Sequence, residues 1–176
     1  FERARRELPP WKFDLFYRGI FTRPAGMIYD AFDEDKHLCK RFEIPDDWPR
    51  YLGLDFGPLH MAAVFLAAKP NSRQLYAYRT YQAGGITTRQ HVEALLKGEP
   101  IDDGTEKPRR PKAYGGAPSE DEWRGEFAQS GLYVNEPPVS EVEVGITRVY
   151  GTMRRDELIV FDDLDELRAD IMSYSR

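Results

Sequence analysis

The chain has 176 residues, of which 41% are hydrophobic and 31% charged, and its formal net charge is −5. A chain of this length and composition is expected to fold as one globular domain with a substantial core. No apolar run reaches the ~18–20 residues of a membrane-spanning helix. The only cysteine, Cys39, excludes an internal disulfide, and the negative charge disfavours a nonspecific coat on nucleic acid.

Residues 1–50 are expected to form a linker and an extension that pack on a core domain formed by residues 51–176. Pro9 and Pro10 end any helix near the N-terminus, because proline lacks an N–H group and restricts the residue before it. Residues 26–32 and 37–42 are then predicted to be two strands on either side of an acidic turn.

The stretch at residues 51–57 (YLGLDFG) is a short apolar run that carries one carboxylate, Asp55, and ends in a Gly-Pro pair. Such a run, bounded by turn residues, predicts a buried strand with Asp55 near its end. A buried carboxylate is costly unless it has hydrogen bonds, a partner or a cation. The residues alone leave two interpretations open: a carboxylate held by backbone N–H groups of the turn, and a metal ligand at the end of a strand.

Two more strands are predicted at residues 61–68 and 74–81, from runs rich in β-forming side chains. The turns between the three strands are short, at Pro58 and at residues 70–72. Turns of this length join antiparallel neighbours, so we expect a three-stranded antiparallel meander.

The rest of the chain alternates between helices and short strands. Strands are predicted near residues 113–115, 132–134 and 158–161. Polar residues three apart predict the helix starts; the pairs are Thr87 with Gln90, Ser119 with Glu122, Ser140 with Glu143, and Asp163 with Glu166. A meander followed by alternating helices and strands predicts an α/β fold with a mixed sheet, in which the helical crossovers add parallel strands.

Several common catalytic motifs are absent from the sequence. There is no Gly-Lys pair for a P-loop, no Gly-x-Gly-x-x-Gly and no His-Glu-x-x-His, and the three histidines lack the spacing of zinc ligands. Carboxylate chemistry remains, with Asp55 after the first core strand and an acidic segment, residues 115–122, after the fourth.

At this point the chain resembles a known family, the C-terminal nuclease domain of the large terminase subunits of tailed phages, which has an RNase H-like fold. The stretches that carry the resemblance are residues 9–19 (PPWKFDLFYRG), 22–26 (TRPAG), 51–57 (YLGLDFG), 116–120 (GAPSE) and 144–146 (VGI). Together they span nearly the whole chain.

The resemblance implies a metal-dependent endonuclease that cuts double-stranded DNA during genome packaging, with two Mg²⁺ or Mn²⁺ ions. Two ions ~3.5–4 Å apart activate a water and stabilise the leaving oxygen of a phosphodiester, and hard cations prefer carboxylate oxygens. Asp55 matches the family's first aspartate and is implied to bridge the ions as a catalytic ligand. The implied partners are double-stranded DNA, the terminase ATPase domain, the small terminase subunit and the portal, and the implied location is the host cytoplasm.

The sequence departs from the family pattern at two acidic positions. Ala117 stands where the family often has the aspartate of Gly-Asp-Pro, and Glu120 is the nearest substitute as a second metal ligand and catalytic residue. The alternative for Glu120 is a first-turn glutamate favoured by the helix dipole. The family's third aspartate lies on a later helix. Asp162, Asp163 and Asp165 do not match it, because they cap the helix that precedes it, so the chain is expected to end before that residue.

Basic residues are the candidates for contacts to DNA phosphates. They are Lys107, Arg109, Arg110, Lys112, Arg148, Arg154 and Arg155.

Two other functions compete with a nuclease. With Ala117 and without the third aspartate, the chain could be a non-catalytic DNA-binding or motor-docking domain of the same fold. A sugar-kinase or actin-like ATPase also begins with a strand that ends in Asp-x-Gly, but it needs a second half of similar size and a second phosphate loop, which this chain lacks.

Overall fold

The computed structural model of the chain describes residues 13, 17–19, 27–57, 59–100 and 110–175. The chain divides into two compact units, one formed by Phe1–Lys40 with Glu141–Arg176 and the other by Arg41–Ser140. The elements in chain order are α1 (Glu34–His37), β1 (Leu38–Cys39), β2 (Arg50–Asp55), β3 (Met61–Ala68), β4 (Leu75–Ala83), α2 (Thr88–Leu96), β5 (Lys112–Gly115), α3 (Asp121–Gln129), β6 (Val134–Asn135), α4 (Val142–Arg154), β7 (Leu158–Phe161) and α5 (Asp165–Ser173).

The unit Arg41–Ser140 is built on a mixed sheet with the strand order β4-β3-β2-β5-β6. The antiparallel meander consists of β2, β3 and β4. β5 pairs with β2 in parallel, and β6 pairs with β5 in parallel. The α/β fold predicted from the sequence, with an antiparallel meander and added parallel strands, is therefore confirmed. The predicted ends of these strands lie within two residues of the observed ones, and those of β3 coincide with them.

One face of this sheet forms the core of the unit. Along β2, Leu52 and Leu54 are buried, whereas Gly53 and Asp55 are exposed. This alternation is expected because successive side chains of a strand point to opposite faces. Phe127 of α3 packs against Phe56 on the buried side, with ring centroids 5.1 Å apart. Burying each side chain of this size contributes about 1.5–3 kcal/mol, so the apolar alternation places Asp55 on the face opposite the core.

A buried ion cluster lies beside α2, and no pattern in the sequence predicted it. The Glu99 carboxylate accepts hydrogen bonds from Arg50 Nη1 at 3.2 Å, Arg79 Nη1 at 3.2 Å and the Tyr78 hydroxyl at 2.8 Å. Its side chain is only 3% exposed. Burial, with the Glu99 charge beside it, raises the pKa of Tyr78 above its ordinary value, so Tyr78 remains a donor to Glu99 over a wide pH range.

The unit formed by residues 1–40 and 141–176 contains a parallel pair of strands, with Leu38 opposite Val160 and Cys39 opposite Phe161. His37 is 1% exposed, and its Nε2 lies 2.9 Å from the carbonyl oxygen of Met153. This buried contact ties α1 to the C-terminal part of α4.

The prediction of two strands at residues 26–32 and 37–42 is wrong in most of its extent. Residues 28–31 form a turn, and only Leu38–Cys39 are a strand. The acidic turn instead begins α1, because the Asp33 side chain accepts a hydrogen bond from the N–H of Asp35 at 3.1 Å and caps the helix.

Of the helix starts predicted from capping pairs, the pair Thr87 and Gln90 is confirmed, with both reciprocal bonds present. The other three are one residue early, since the N-cap residues of α3, α4 and α5 are Glu120, Glu141 and Leu164. None of the three caps its helix through a side chain. In these three helices the first residue of the polar pair lies one position before the N-cap residue, so the pair indicates the region of the helix start and not its first residue.

Some sequence predictions lie outside the described residues. They include most of the stretches at 9–19 and 22–26 that carry the family resemblance. The boundary predicted between residues 50 and 51 stays a prediction. Within the part of the chain that the structure describes, no helix is long and apolar enough to cross a membrane.

Candidate functional site

The carboxyl ends of β2 and β5 meet at one edge of the sheet. The two strands are parallel, and Leu54 lies opposite Gly115, so Asp55 and Gly116 follow at neighbouring strand ends. β3 begins at the same edge, where Ala62 pairs with Asp55. In open α/β sheets ligands bind outside the carboxyl ends of the strands, so this edge is the candidate site.

Asp55 is the last residue of β2 and its side chain is exposed. Its carboxylate makes no hydrogen bond or ion pair with any other residue that the structure describes. After it, Gly57 lies close to His60, and a Cβ atom on Gly57 would collide with the carbonyl oxygen of His60. Asp55 therefore presents an anion at the strand end that no described cation or N–H group neutralises.

The last position of β5 and the first position of the turn after it have no room for side chains. A Cβ atom on Gly115 would lie 2.5 Å from the carbonyl oxygen of Leu54. Gly116 has φ +79°, and a Cβ there would lie 2.7 Å from the Phe56 ring. Glycine is required at position 115 because β5 lies directly against Leu54 of β2, and at position 116 because the backbone there is left-handed.

Glu120 is the N-cap residue of α3 and folds back over this turn. Its Oε2 accepts a hydrogen bond from the backbone N–H of Ala117 at 2.5 Å. Its other carboxylate oxygen makes no hydrogen bond with the described residues. The carboxylate is therefore held against the turn after β5 by the N–H of Ala117, in a position where it favours the helix N-terminus.

Arg124 is a part of this region that sequence reasoning missed. Its side chain is buried, with the residue 8% exposed. It donates hydrogen bonds to the carbonyl oxygens of Gly115, Ala117 and Pro118 and to Oδ1 of Asp121. A basic residue three positions before Phe127, on a helix face that otherwise packs inward, is the sequence signal that could have indicated it.

The oxygen donors at this edge suit a divalent cation. Asp55 and Glu120 supply carboxylate oxygens, which Mg²⁺ and Mn²⁺ prefer, and they follow adjacent strands. Among the described residues, no group of three or more His, Cys, Asp or Glu side chains could hold a metal ion. Two carboxylates would leave the remaining ligand positions of such a cation to water or substrate oxygens, as is usual for Mg²⁺.

The candidate DNA-binding residues are spread over the chain. Lys107 and Arg109 lie outside the described residues. Lys112 is exposed and lies opposite Tyr51, at the end of β5 away from Asp55, and Arg110 precedes it. Arg148, Arg154 and Arg155 are exposed in the other unit, where Arg155 pairs with Glu157 at 2.8 Å. The structure does not bring Lys112 or Arg110 to the edge where Asp55 lies.

No protein-family model matches the chain, and a search of curated proteins finds no match either. Solved structures do match it. A large terminase from a thermophilic bacteriophage, in complex with ATP-γ-S, superposes with a TM-score of 0.79 and 22% identity, over 98% of this chain and 43% of that one.

Isolated nuclease domains match as well. The nuclease domain of the P22 large terminase has a TM-score of 0.65 and 20% identity, over 86% of this chain and 80% of that one. The large terminase nuclease from thermophilic phage G20c, with bound magnesium, has a TM-score of 0.57 and 15% identity, over 85% of this chain and 81% of that one.

The fold is that of a mixed α/β domain with a carboxylate at the end of a central strand. More particularly, it is the fold of the nuclease domain of phage large terminases, and the resemblance found in the sequence is confirmed for the fold. The chain spans less than half the length of the large terminase solved with ATP-γ-S.

Proposed function

We propose that the chain is the metal-dependent endonuclease domain of a phage DNA-packaging terminase large subunit and cuts double-stranded DNA. The observation that carries the proposal is Asp55, an exposed carboxylate without a partner among the described residues, at the end of β2 beside the carboxyl end of β5, in the fold of terminase nuclease domains. A second acidic residue, Glu120, folds over the neighbouring turn.

The proposed cofactor is Mg²⁺ or Mn²⁺, with two ions in the working site. Structures of the G20c nuclease hold magnesium in one case and cobalt in another, which supports a divalent cation here. Asp55 would hold both ions and Glu120 one of them. When bound, such ions lower the pKa of a coordinated water and stabilise the charge on the leaving oxygen.

The chain's own groups supply the rest of the site. Asp55 presents its carboxylate oxygens without a competing partner among the described residues. Phe56 packs on Trp123 with ring centroids 6.2 Å apart, and this stacking fixes the chain directly after Asp55.

DNA is proposed to bind through its phosphates. The proposed contacts are Lys107, Arg109, Arg110, Lys112, Arg148, Arg154 and Arg155. The proposed partners of the longer protein are an ATPase domain, a small terminase subunit and a portal, and the proposed location is the host cytoplasm. The match to a phage large terminase over 43% of its length supports a longer parent protein.

The alternative is a domain of the same fold that binds DNA or docks the motor without cutting. Ala117 favours this alternative, because its methyl group cannot ligate a metal where the family often has an aspartate. In that case the domain would bind DNA equally well with and without divalent ions.

Cleavage of supercoiled plasmid tests the proposal. The purified chain is incubated with plasmid in Mn²⁺, in Mg²⁺ and in excess EDTA, and the nicked and linear products are measured on gels. We expect products with either metal and none with EDTA. Intact plasmid in all three conditions, together with DNA binding in a gel shift, would establish the non-catalytic alternative.

A further inference from the structure

The turn between β5 and α3 is folded around one guanidinium group. Arg124 Nη1 donates to the carbonyl oxygens of Gly115 at 3.2 Å and Ala117 at 2.9 Å, and Nη2 donates to that of Pro118 at 3.3 Å. Three carbonyl groups within four residues thus converge on a single buried side chain. Such an arrangement fixes the path of the turn, because each carbonyl direction is set by a bond to the same planar group.

Both backbone polar groups of Ala117 make hydrogen bonds to side chains. Its carbonyl oxygen accepts from Arg124, and its N–H donates to the Glu120 carboxylate at 2.5 Å. The position of the Glu120 carboxylate therefore depends on the orientation of the Ala117 peptide groups, and that orientation depends on Arg124.

The Arg124 guanidinium makes few other polar contacts with the described residues. Its only described carboxylate partner is Asp121, at 2.7 Å, whose side chain is 88% exposed, and an ion pair this open to water contributes little to stability. A buried guanidinium is retained at a desolvation cost, and here it is offset mainly by the carbonyl groups of the turn.

We propose that Arg124 is a positioning residue of the metal site, which sets the conformation of residues 115–118 and thereby directs the Glu120 carboxylate. The inference rests on the proposed function, because it assigns Glu120 as a metal ligand. Lysine cannot replace Arg124 in this role, since an ammonium group lacks the planar fork that reaches several carbonyls at once.

The test measures Mn²⁺ binding directly, by the electron paramagnetic resonance signal of free Mn²⁺, together with urea unfolding. Arg124→Lys keeps the charge and should weaken Mn²⁺ affinity ~10-fold or more, the usual effect of losing a residue that orients a metal ligand. The matched control is Arg89→Lys, because Arg89 makes an exposed ion pair with Glu93 on α2. It should leave the affinity unchanged.

A double-mutant cycle separates positioning from a general structural role. In a Glu120→Gln background, Arg124→Lys should cause no further loss of Mn²⁺ affinity, because the two residues act as one unit. Additive losses would overturn the proposal. If Arg124→Lys does not fold, Arg124→Gln serves, since it removes the buried charge while its amide group can still donate to a carbonyl oxygen of the turn. It should weaken Mn²⁺ binding in the Glu120 chain and not in the Glu120→Gln chain, and equal losses in both would overturn the proposal.

The outcomes also separate this inference from the proposed function. A wild-type chain that neither binds Mn²⁺ nor cuts plasmid overturns both. A wild-type chain that binds and cuts, with unchanged affinity in a folded Arg124→Lys variant, overturns the role of Arg124 alone.

Discussion

Leu54 and Gly115 lie opposite each other on parallel strands, and Asp55 and the turn that leads to Glu120 follow from these two positions. A Cβ on Gly115 would lie 2.6 Å from Cβ of Leu54, so the two backbones approach as closely as they do only because one residue has no side chain. This contact brings the two acidic segments of the chain to one edge of the sheet.

Replacing Asp55 with asparagine should abolish metal-dependent plasmid cleavage. The substitution removes the charge that holds the cations but keeps the size of an exposed side chain with no described partner, so the free energy of unfolding should change by less than about 0.5 kcal/mol. Cleavage and urea unfolding are measured together. Asp47→Asn, an exposed aspartate before β2, is the control, and full cleavage by Asp55→Asn would remove the nuclease function from this site.

Glu120→Gln should weaken Mn²⁺ binding while preserving the turn. The amide oxygen of glutamine can still accept the hydrogen bond from Ala117, but it carries no charge for a cation. Calorimetric titration with Mn²⁺ measures the loss, with Glu122→Gln as a control in the first turn of the same helix. Equal Mn²⁺ affinities for wild type and Glu120→Gln would mean that Glu120 stabilises the N-terminus of α3 and does not bind the metal.

Gly115→Ala should destabilise the unit by about 1–3 kcal/mol through overpacking, because the new methyl group meets the carbonyl oxygen and Cβ of Leu54. Gly125 offers a matched control on α3, since a Cβ there meets nothing within 4 Å. Gly125→Ala should stabilise the chain by about 0.5–1 kcal/mol, the helix-propensity difference. Urea denaturation measures both, and a neutral Gly115→Ala would show that the strands separate easily.

The free energy of unfolding should fall as the pH rises above 10. Burial is the main cause that raises the pKa of Tyr29, to about 12, and also that of Tyr78 and Tyr150. Above the ordinary value the unfolded chain loses these protons while the folded chain keeps them, so the unfolded state gains stability. Urea unfolding between pH 8 and pH 11 measures the trend. Tyr78→Phe should flatten it, and a flat profile in the wild type would contradict the raised pKa values.

DNA binding by the isolated chain should be weak, tolerant of sequence and strongly reduced by salt. Phosphate contacts release counterions, so the logarithm of the affinity falls linearly with the logarithm of the salt concentration, and the net charge of −5 opposes binding. Fluorescence anisotropy with two unrelated duplexes measures this. Lys112→Gln should reduce the magnitude of the slope of this line by about one. Tight, salt-independent binding to one duplex would contradict the prediction.

The sequence by itself determined the order of the elements after residue 50, the antiparallel meander and the place of Asp55 at a strand end. These features follow from local patterns: apolar runs bounded by glycine and proline, short turns, and the alternation along residues 51–57. It also indicated the family whose fold the solved structures share. Local patterns suffice here because strand pairing across a short turn leaves few alternatives.

Tertiary structure alone decided which polar groups meet. The Glu99 cluster joins residues 50, 78, 79 and 99, and no spacing rule predicts such contacts. The N-cap residue of α3 is Glu120 and not the predicted Ser119. Arg124 and Glu120 both bind the preceding turn, and these hydrogen bonds replace the predicted capping pair. The hydrogen-bond partners of the buried Arg124 guanidinium are backbone carbonyl groups of the turn between β5 and α3. Backbone carbonyls carry no sequence signal, so only the tertiary structure identifies these partners.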